Sequence, residues 1–599
     1  MNPSSVACRM LLLLLLPIFS TATHATTTTI RADTVFDSVV SPQQRALAED
    51  RPCGSIIGRT TRAEILTFVE IAVDRLLTLA NLQSAAPAAR SVLSNAARYD
   101  ILAVKVCGSC AESDAISSPS NNGAPTDFPH YPSYCGSDID GYDTTQSALM
   151  LFPIDNETDA VPPGKIRSFV HMHRHKYDAT DDAPSNAWPS DIANFLATQT
   201  TEVVYQDFVA QFLDGIMPAT RGTVTVYPDF RGFGSSTGNR TDFLQRSYLQ
   251  SGVQSYRAAS RFLSNYTGGC SLVDDTIVVS GKDEGAYAAV PLSWAFVALG
   301  LRINTLYLSA PILDLQVQTK FMIDSYDQGL VPMDESLDNY YFQKSLPAIA
   351  FAASIDTPGY ANTGTSETLL SAGWMDPNNS PDNNVIDWFV NPGGELPDDS
   401  ASLPFPATQV LDETFLERFR SATSDHPCSE VDGSLYPGTE ALCQMMSESN
   451  VLGLLNSSGT VEGGKYAAST SVCFSDTDTF ATNKNVPEYI FDQQHIFKSQ
   501  LLLSGLLEVT GDHEDALLFC AVSVAFFYAT DSASRDDGPS VISNLSEAEQ
   551  KICSGDADDD DDDDDSDDTS DGFFARGAIL GNAFSIAAVP FVLSWMSVS

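Results

Sequence analysis

Residues Thr276–Ala289 read TIVVSGKDEGAYAA. Thr276–Ser280 is a short run rich in β-branched residues, which predicts a buried strand. Gly281-Lys282-Asp283-Glu284-Gly285 then turns, and a small-residue helix follows over Gly285–Leu299. This is the Gly-x-Nuc-x-Gly pattern of a nucleophile elbow. Its glycines let strand and helix approach closely, so that the residue at the tip stands out over the sheet. The tip here is Asp283. The plainer reading of the same residues is a strand-to-helix turn that carries two glycines.

Outward from this turn, strand and helix patterns alternate. Ile166–Met172 reads as a strand, Asp191–Asp214 as helical, Val224–Val226 as a strand and Leu244–Asn265 as a helix; Ile303–Ser309 is the strand after the elbow helix. Upstream, Arg62–Arg98 has apolar residues at helical spacing, while Tyr99–Val106 and Ala148–Pro153 are strand-like. From Pro311 to about Thr470 the rhythm breaks into segments rich in Asp, Asn and Pro, as in a cap inserted over a sheet. It returns with Ser471–Phe474 and Leu501–Val509 and closes on a helix over Glu514–Thr530. The fold class expected is α/β, with a mostly parallel sheet, helices on both faces and an inserted cap.

The ends carry a different signal. Arg9, the leucine-rich run Met10–Phe19 and Thr23-His24-Ala25 compose a cleavable secretory signal. At the other end, Gly577–Val598 is apolar with no Lys or Arg after it, and small residues from Ser566 to Gly572 precede it. Small residues, a spacer and an apolar tail describe a glycosylphosphatidylinositol attachment signal; a single transmembrane span is the alternative. The expected organisation is a signal peptide over 1–25, a flexible lead and helical extension over 26–98, a core over 99–311, a cap over 312–470, the rest of the core over 471–545, an acidic stalk over 546–572 and a hydrophobic tail over 573–599. The expected location is the outer face of the plasma membrane, with the membrane as a partner through the tail.

The chain carries 78 Asp and Glu against 32 Lys and Arg, a net charge of −46. Twelve of the acids lie between Asp556 and Asp571, including the unbroken run Asp558–Asp565, and the remainder is still near −34. Nucleic acid is excluded as an expected partner, because phosphate binding needs clustered Lys and Arg. Eight adjacent like charges do not pack, so the run reads as an extended spacer. Loose Ca²⁺ binding is its other reading, since Ca²⁺ prefers carboxylate oxygens but a specific site needs a shaped loop.

Cys8 falls within the signal, and ten cysteines remain; an even number in an exported chain reads as a disulfide framework. Cys428 with Cys443 is the local bridge expected, and Cys107-Gly108-Ser109-Cys110 has redox-motif spacing. Asn-x-Ser/Thr sites at Asn156, Asn239, Asn265, Asn378, Asn456 and Asn544 permit glycosylation.

The stretch from about Tyr99 to Thr530 resembles the secreted lipase and esterase group of the α/β-hydrolases. TTQSALMLFP (Thr144–Pro153) is similar to an early strand of that group. His173-Arg174-His175, followed by Ala183-Pro184-Ser185, resembles its oxyanion-loop segment. PDFRGFGSSTG (Pro228–Gly238) resembles its glycine-rich turn, and Ala310-Pro311 matches the pair after the next strand. CFSDTDTFATNKN (Cys473–Asn485) is similar to the acid-bearing segment, implying Asp478 as the acid. GDHEDALLFC (Gly511–Cys520) resembles the histidine loop, implying His513 as the base. The order nucleophile, acid, histidine is that of the fold.

Two positions depart from the resemblance. Asp283 stands where the group has Ser, and Arg174 where it has Gly beside the oxyanion hole. A carboxylate cannot replace the serine of an acyl-transfer triad. Three readings follow. The scaffold has lost or altered its catalysis and serves as a binding module. Alternatively, Asp283 is a covalent nucleophile in the manner of epoxide hydrolases and dehalogenases, with Tyr340 and Tyr341 of the cap as polarising acids. The third reading keeps ester hydrolysis with another nucleophile; Ser280 is close but on the strand. His171, His173 and His175 alternate, so an extended strand points all three one way. Three His ligands suit a Zn²⁺ site, the plainer reading is a polar strand end, and no metal or cofactor is expected.

Overall fold

The computed structural model describes residues 51–79, 86–109, 145–173, 183–192, 194–195, 202–237, 243, 245–327, 413–430, 446, 450–451, 460–461, 464–465, 469–475, 478, 481 and 513–533. The expected signal peptide, acidic stalk and hydrophobic tail lie outside these residues, as does most of the expected cap. No helix among the described residues is long and apolar enough to cross a membrane.

Eight strands form the main sheet: β1 (Ile56–Thr60), β2 (Asp100–Ser109), β3 (Thr145–Ile154), β4 (Gly164–Met172), β5 (Val224–Pro228), β6 (Ser271–Lys282), β7 (Arg302–Ser309) and β10 (Ser469–Cys473). Two short strands, β8 (Thr460–Val461) and β9 (Gly464–Lys465), pair with each other in the segment expected as cap. The main sheet runs β1-β2-β3-β5-β4-β6-β7-β10. From β5 to β10 neighbouring strands are parallel, and β1, β2 and β3 add an antiparallel edge. The strands around the elbow read as near-continuous apolar runs because both faces of a parallel sheet are covered.

Ten helices accompany the strands among the described residues: α1 (Arg62–Leu79), α2 (Ala86–Ala96), α3 (Pro184–Ala187), α4 (Glu202–Thr220), α5 (Gln245–Tyr266), α6 (Glu284–Ala298), α7 (Leu315–Asp327), α8 (Glu413–Ser421), α9 (Pro427–Glu430) and α10 (His513–Ala533). Phe68 of α1, Leu93 of α2, Phe212 and Ile216 of α4 and Leu518 of α10 share one core with Leu149 and Leu151 of β3. Val253 of α5 and Ala288 and Leu292 of α6 share the core on the opposite face with Val279 and Leu306. Helix α6 has no polar face, and Glu284 through Phe296 are buried. A helix apolar all round belongs inside a large domain. The expected α/β-hydrolase fold is therefore what the chain adopts.

Some boundaries differ from expectation. Ile56–Thr60, placed by sequence in the lead before the core, pairs antiparallel with β2 and forms the sheet edge. The single helical stretch over Arg62–Arg98 resolves into α1 and α2. Cys107 bonds to Cys53, which removes it from any redox pair with Cys110. Cys473 bonds to Cys520, and Cys270 and Cys428 are also disulfide-bonded. Cys443, the partner expected for Cys428, lies outside the described residues.

Strand order reverses at β4. The chain passes from β4 to β5 on one side, then crosses to β6 on the other. The crevice above the carboxyl ends of β4 and β6 is thus a topological switch point, where open α/β sheets bind ligands. His173 and Asp283 follow those two strand ends directly.

Candidate active site

Asp283 occupies the turn between β6 and α6 with φ +53° and ψ −119°. A non-glycine residue with positive φ is held there by its surroundings at a cost of about 1–3 kcal/mol. Its N–H donates to Ser309 O of β7 (2.8 Å), and its carbonyl accepts the N–H groups of Ala286 and Tyr287 that open α6 (3.0 and 3.3 Å). Its side chain makes no capping hydrogen bond. Strand and helix thus meet in a tight turn whose tip residue has positive φ.

Both glycines are demanded by close approach. A Cβ on Gly281 lies 2.1 Å from Gly285 O, and one on Gly285 lies 2.0 Å from Met172 O and 2.4 Å from His173 O. These contacts are with backbone, which cannot swing away. Gly285→Ala is expected to destabilise the fold by about 2–3 kcal/mol through overpacking, measured as a lower urea midpoint at unchanged slope.

The two residues that the resemblance implied as acid and base come together beside Asp283. Asp478 follows β10, and His513 is the first residue of α10. His513 is fully buried, with Nδ1 2.9 and 3.0 Å from the two Asp478 oxygens. The N–H of Ala481 donates to Asp478 Oδ1 (2.8 Å) and fixes the carboxylate. On the other side of the ring, Nε2 lies 3.7 Å from Asp283 Oδ2. That is within ion-pair range but beyond a direct hydrogen bond. Asp283 Oδ1 is buried with no hydrogen-bond partner among the described residues.

Burial opposes a charge on His513, but the Asp478 and Asp283 carboxylates outweigh it and hold its pKa well above the usual histidine value. The imidazolium is therefore the resting form at neutral pH, clasped between two acids. This clasp stabilises the fold fully below the unfolded histidine pKa of about 6.5 and loses its contribution as pH rises through the folded value.

The segments that carry Asp478 and His513 are also tied covalently. The disulfide Cys473–Cys520 joins the end of β10 to α10, with a Cα–Cα distance of 5.7 Å. Asp478 and His513 each sit a few residues from one half of it. Replacing both cysteines by Ser is expected to cost about 2–4 kcal/mol, read by denaturation with and without reductant.

The oxyanion-loop residues are placed in part. His173 is buried, its ring stacks on Phe230 (4.3 Å, 16° between planes), and its carbonyl lies against Gly285. Arg174 and His175 lie outside the described residues. Ser185 of the same segment donates from its N–H to Asp229 Oδ1 (3.0 Å) and from its hydroxyl to Oδ2 (2.6 Å). Ser147 Oγ also donates to Asp229 Oδ2. Three of the segments that carried the resemblance thus meet on one buried carboxylate.

Other residues find different places. Ser280, weighed as another nucleophile, is fully buried on β6 and faces Asp214 (3.5 Å). His171 and His173 do not share an environment, because β4 ends at Met172. His171 Nδ1 is 3.2 Å from Asp214 Oδ2, and its ring packs on Tyr227, whereas His173 lies on Phe230. Among the described residues no group of three His, Cys, Asp or Glu side chains is arranged to hold a metal ion. Tyr340 and Tyr341 lie outside the described residues.

The sequence reading missed a buried cluster behind the elbow. Lys282 Nζ donates to Asp214 Oδ1 (3.0 Å), with side-chain exposures of 2% and 0%. Asp214 sits in a helical run and Lys282 in a turn, positions where charges are normally solvated, so the spacing offered no signal.

No protein-family model and no curated protein matches the chain. Among solved structures it is similar to an assumed hydrolase from Legionella pneumophila at 13% identity, covering 80% of this chain and 97% of that one with TM-score 0.49. It is similar to a rice cell wall degrading esterase from Xanthomonas oryzae at 13% identity, covering 81% and 97% with TM-score 0.45. It is also similar to Candida antarctica lipase A at 12% identity, covering 67% and 70% with TM-score 0.37. Likeness at this level carries no argument about chemistry, which rests on the residues of the site itself.

Proposed function

We propose that the chain is a hydrolase of lipase and esterase ancestry in which Asp283 is a covalent nucleophile. The observation that carries this reading is the Asp478–His513–Asp283 line. The base is oriented on one nitrogen, and the other lies 3.7 Å from a strained carboxylate. The substrate class is a small molecule with an electrophilic sp³ carbon, such as an epoxide, a haloalkane or an activated alkyl ester.

In the first step an Asp283 oxygen displaces the leaving group from carbon, forming an alkyl ester on the enzyme. The leaving group departs with the electron pair. Esterification also removes the negative charge of Asp283, one of the forces that hold the proton on His513. The His513 proton passes to the departing group or to solvent, and the imidazole becomes free to act as a base. It takes a proton from water, and the hydroxide attacks the carbonyl carbon of the Asp283 ester. The alcohol leaves with that proton, and the water's second proton, left on the Asp283 carboxyl, returns to His513 and restores the carboxylate. The sum is substrate plus water giving alcohol plus the protonated leaving group, which for an epoxide stays attached as the second hydroxyl of a diol. Asp478 holds the ring in the orientation that this exchange needs.

The test is a single turnover in ¹⁸O-water with epoxide, haloalkane and activated-ester probes. Mass spectrometry is expected to find ¹⁸O in the Asp283 carboxylate and unlabelled oxygen in the first product. Label in the product with none in Asp283 overturns the covalent route. No turnover of any probe, with no label, favours the binding-module reading of the same scaffold.

The composition of the chain's ends supports a location to go with this chemistry: export through the secretory pathway and a lipid tether at the outer face of the plasma membrane. Release from intact cells by phosphatidylinositol-specific phospholipase C tests the tether; retention of the protein after that treatment favours a transmembrane span.

A further inference from the structure

The buried cluster behind the elbow has no part in the proposed chemistry, yet it touches the turn that carries the nucleophile. Lys282 lies between Gly281 and Asp283, and its side chain crosses to Asp214 on α4, the face of the sheet opposite α6. Asp214 Oδ2 lies 3.2 Å from His171 Nδ1 and 3.5 Å from Ser280 Oγ. His171 pairs in register with Ser280 across β4 and β6. Burial and the Lys282 charge hold His171 well below its usual pKa, so the ring is neutral. Burial raises the pKa of Asp214, and Lys282 opposes that rise. The cluster is thus one sealed ion pair with a neutral neighbour.

A buried ion pair of this kind is no more stabilising than well-packed apolar residues of the same volume. What it can fix is geometry, and what needs fixing is adjacent. Asp283 is strained, and its side chain makes no capping hydrogen bond. The backbone bond from Asp283 N to Ser309 O restrains the turn on one side. The pull of Asp214 on Lys282 restrains it on the other.

We propose that Lys282 and Asp214 are positioning residues, a buried anchor that holds the elbow so that Asp283 faces His513. The inference rests on the function proposed above, but its test separates the two. Removing Asp214 alone strands a buried Lys⁺ and risks losing the fold. The informative variants are therefore Lys282→Met, after which burial favours the neutral form of Asp214, and the double variant Lys282→Met/Asp214→Leu, which removes both charges.

Two quantities are read on each folded variant. One is the rate of covalent labelling of Asp283 by the probe that labels the wild type. It is expected to fall by about 10²-fold, the usual consequence of a misplacement near 1 Å, with little change in the half-saturating probe concentration. The other is the NMR titration midpoint of His513, which needs no catalysis. It is expected to move down toward the midpoint of Asp283→Asn, because a displaced carboxylate no longer faces the ring. A folded double variant that keeps the wild-type His513 midpoint overturns the anchor whether or not the protein is a hydrolase. A lowered midpoint in a protein that labels with no probe upholds the anchor and removes the function.

Discussion

Asp283→Asn is expected to abolish covalent labelling and to lower kcat by about 10⁴-fold or more, the range seen when a nucleophile is removed from an intact site. The amide nitrogen and oxygen of Asn cannot displace a leaving group from carbon at any useful rate. The fold is expected to persist, because Asn tolerates positive φ about as well as Asp does. The side chain is also nearly isosteric, and its backbone bonds to Ser309, Ala286 and Tyr287 do not depend on the carboxylate. The variant has a second signature. His513 loses one of the two carboxylates that raise its pKa, so its titration midpoint falls while Asp478 still holds it up. The stabilising clasp then disappears at a lower pH than in the wild type, as alkali removes the imidazolium charge. Stability curves of the two proteins should coincide more closely above the wild-type midpoint than below it. Full turnover by Asp283→Asn ends the nucleophile assignment.

Most of what positions this residue was legible in local sequence. The elbow, the helix after it and the strands from Tyr99 to Ser309 follow from apolar runs punctuated by glycine, which are short-range properties. Asp478 and His513 were implied by the resemblance of their segments to the acid-bearing segment and the histidine loop of secreted lipases and esterases. What was not legible depends on contacts between distant segments. Ile56–Thr60 is a five-residue strand without alternation, and it becomes a strand by pairing with β2 some forty residues later. Cys53–Cys107 follows from that same placement, and Cys473–Cys520 from the approach of α10 to the end of β10. The alternation of His171 and His173 predicted one shared face, but a period of two holds only while the strand lasts, and β4 stops at Met172. Lys282 and Asp214 were invisible for the opposite reason: each is unremarkable alone, and only burial makes the pair informative.

The arrangement of charge at the site also explains why an acid at the elbow is compatible with a histidine base. In a serine triad the base must be neutral before the nucleophile acts. A carboxylate nucleophile needs no base to activate it, so a protonated His513 does not prevent the first step and helps to hold the carboxylate in place. The base is required only in the second step, when alkylation has removed the charge beside it. One pair of groups therefore serves two roles in sequence, and the second is released by completion of the first.

That division of labour makes the opposite variant the sharper experiment. His513→Gln is expected to keep the first step within about tenfold of the wild type and to slow the second by about 10³–10⁴-fold, the contribution of a positioned general base. The enzyme should then accumulate as the alkyl ester. A burst of one equivalent of leaving group is expected, followed by almost no turnover, and the peptide carrying Asp283 should retain the added mass. Removing the imidazolium has a structural cost, because Asp478 and Asp283 then face each other's field without the cation between them. Breaking a buried ion pair in this way costs about 3–5 kcal/mol, so unfolding by urea should begin earlier at neutral pH. The intermediate and the stability deficit have different causes, one chemical and one electrostatic. A variant that is destabilised as expected yet never accumulates the ester leaves His513 as a structural clasp and removes it from the catalytic line.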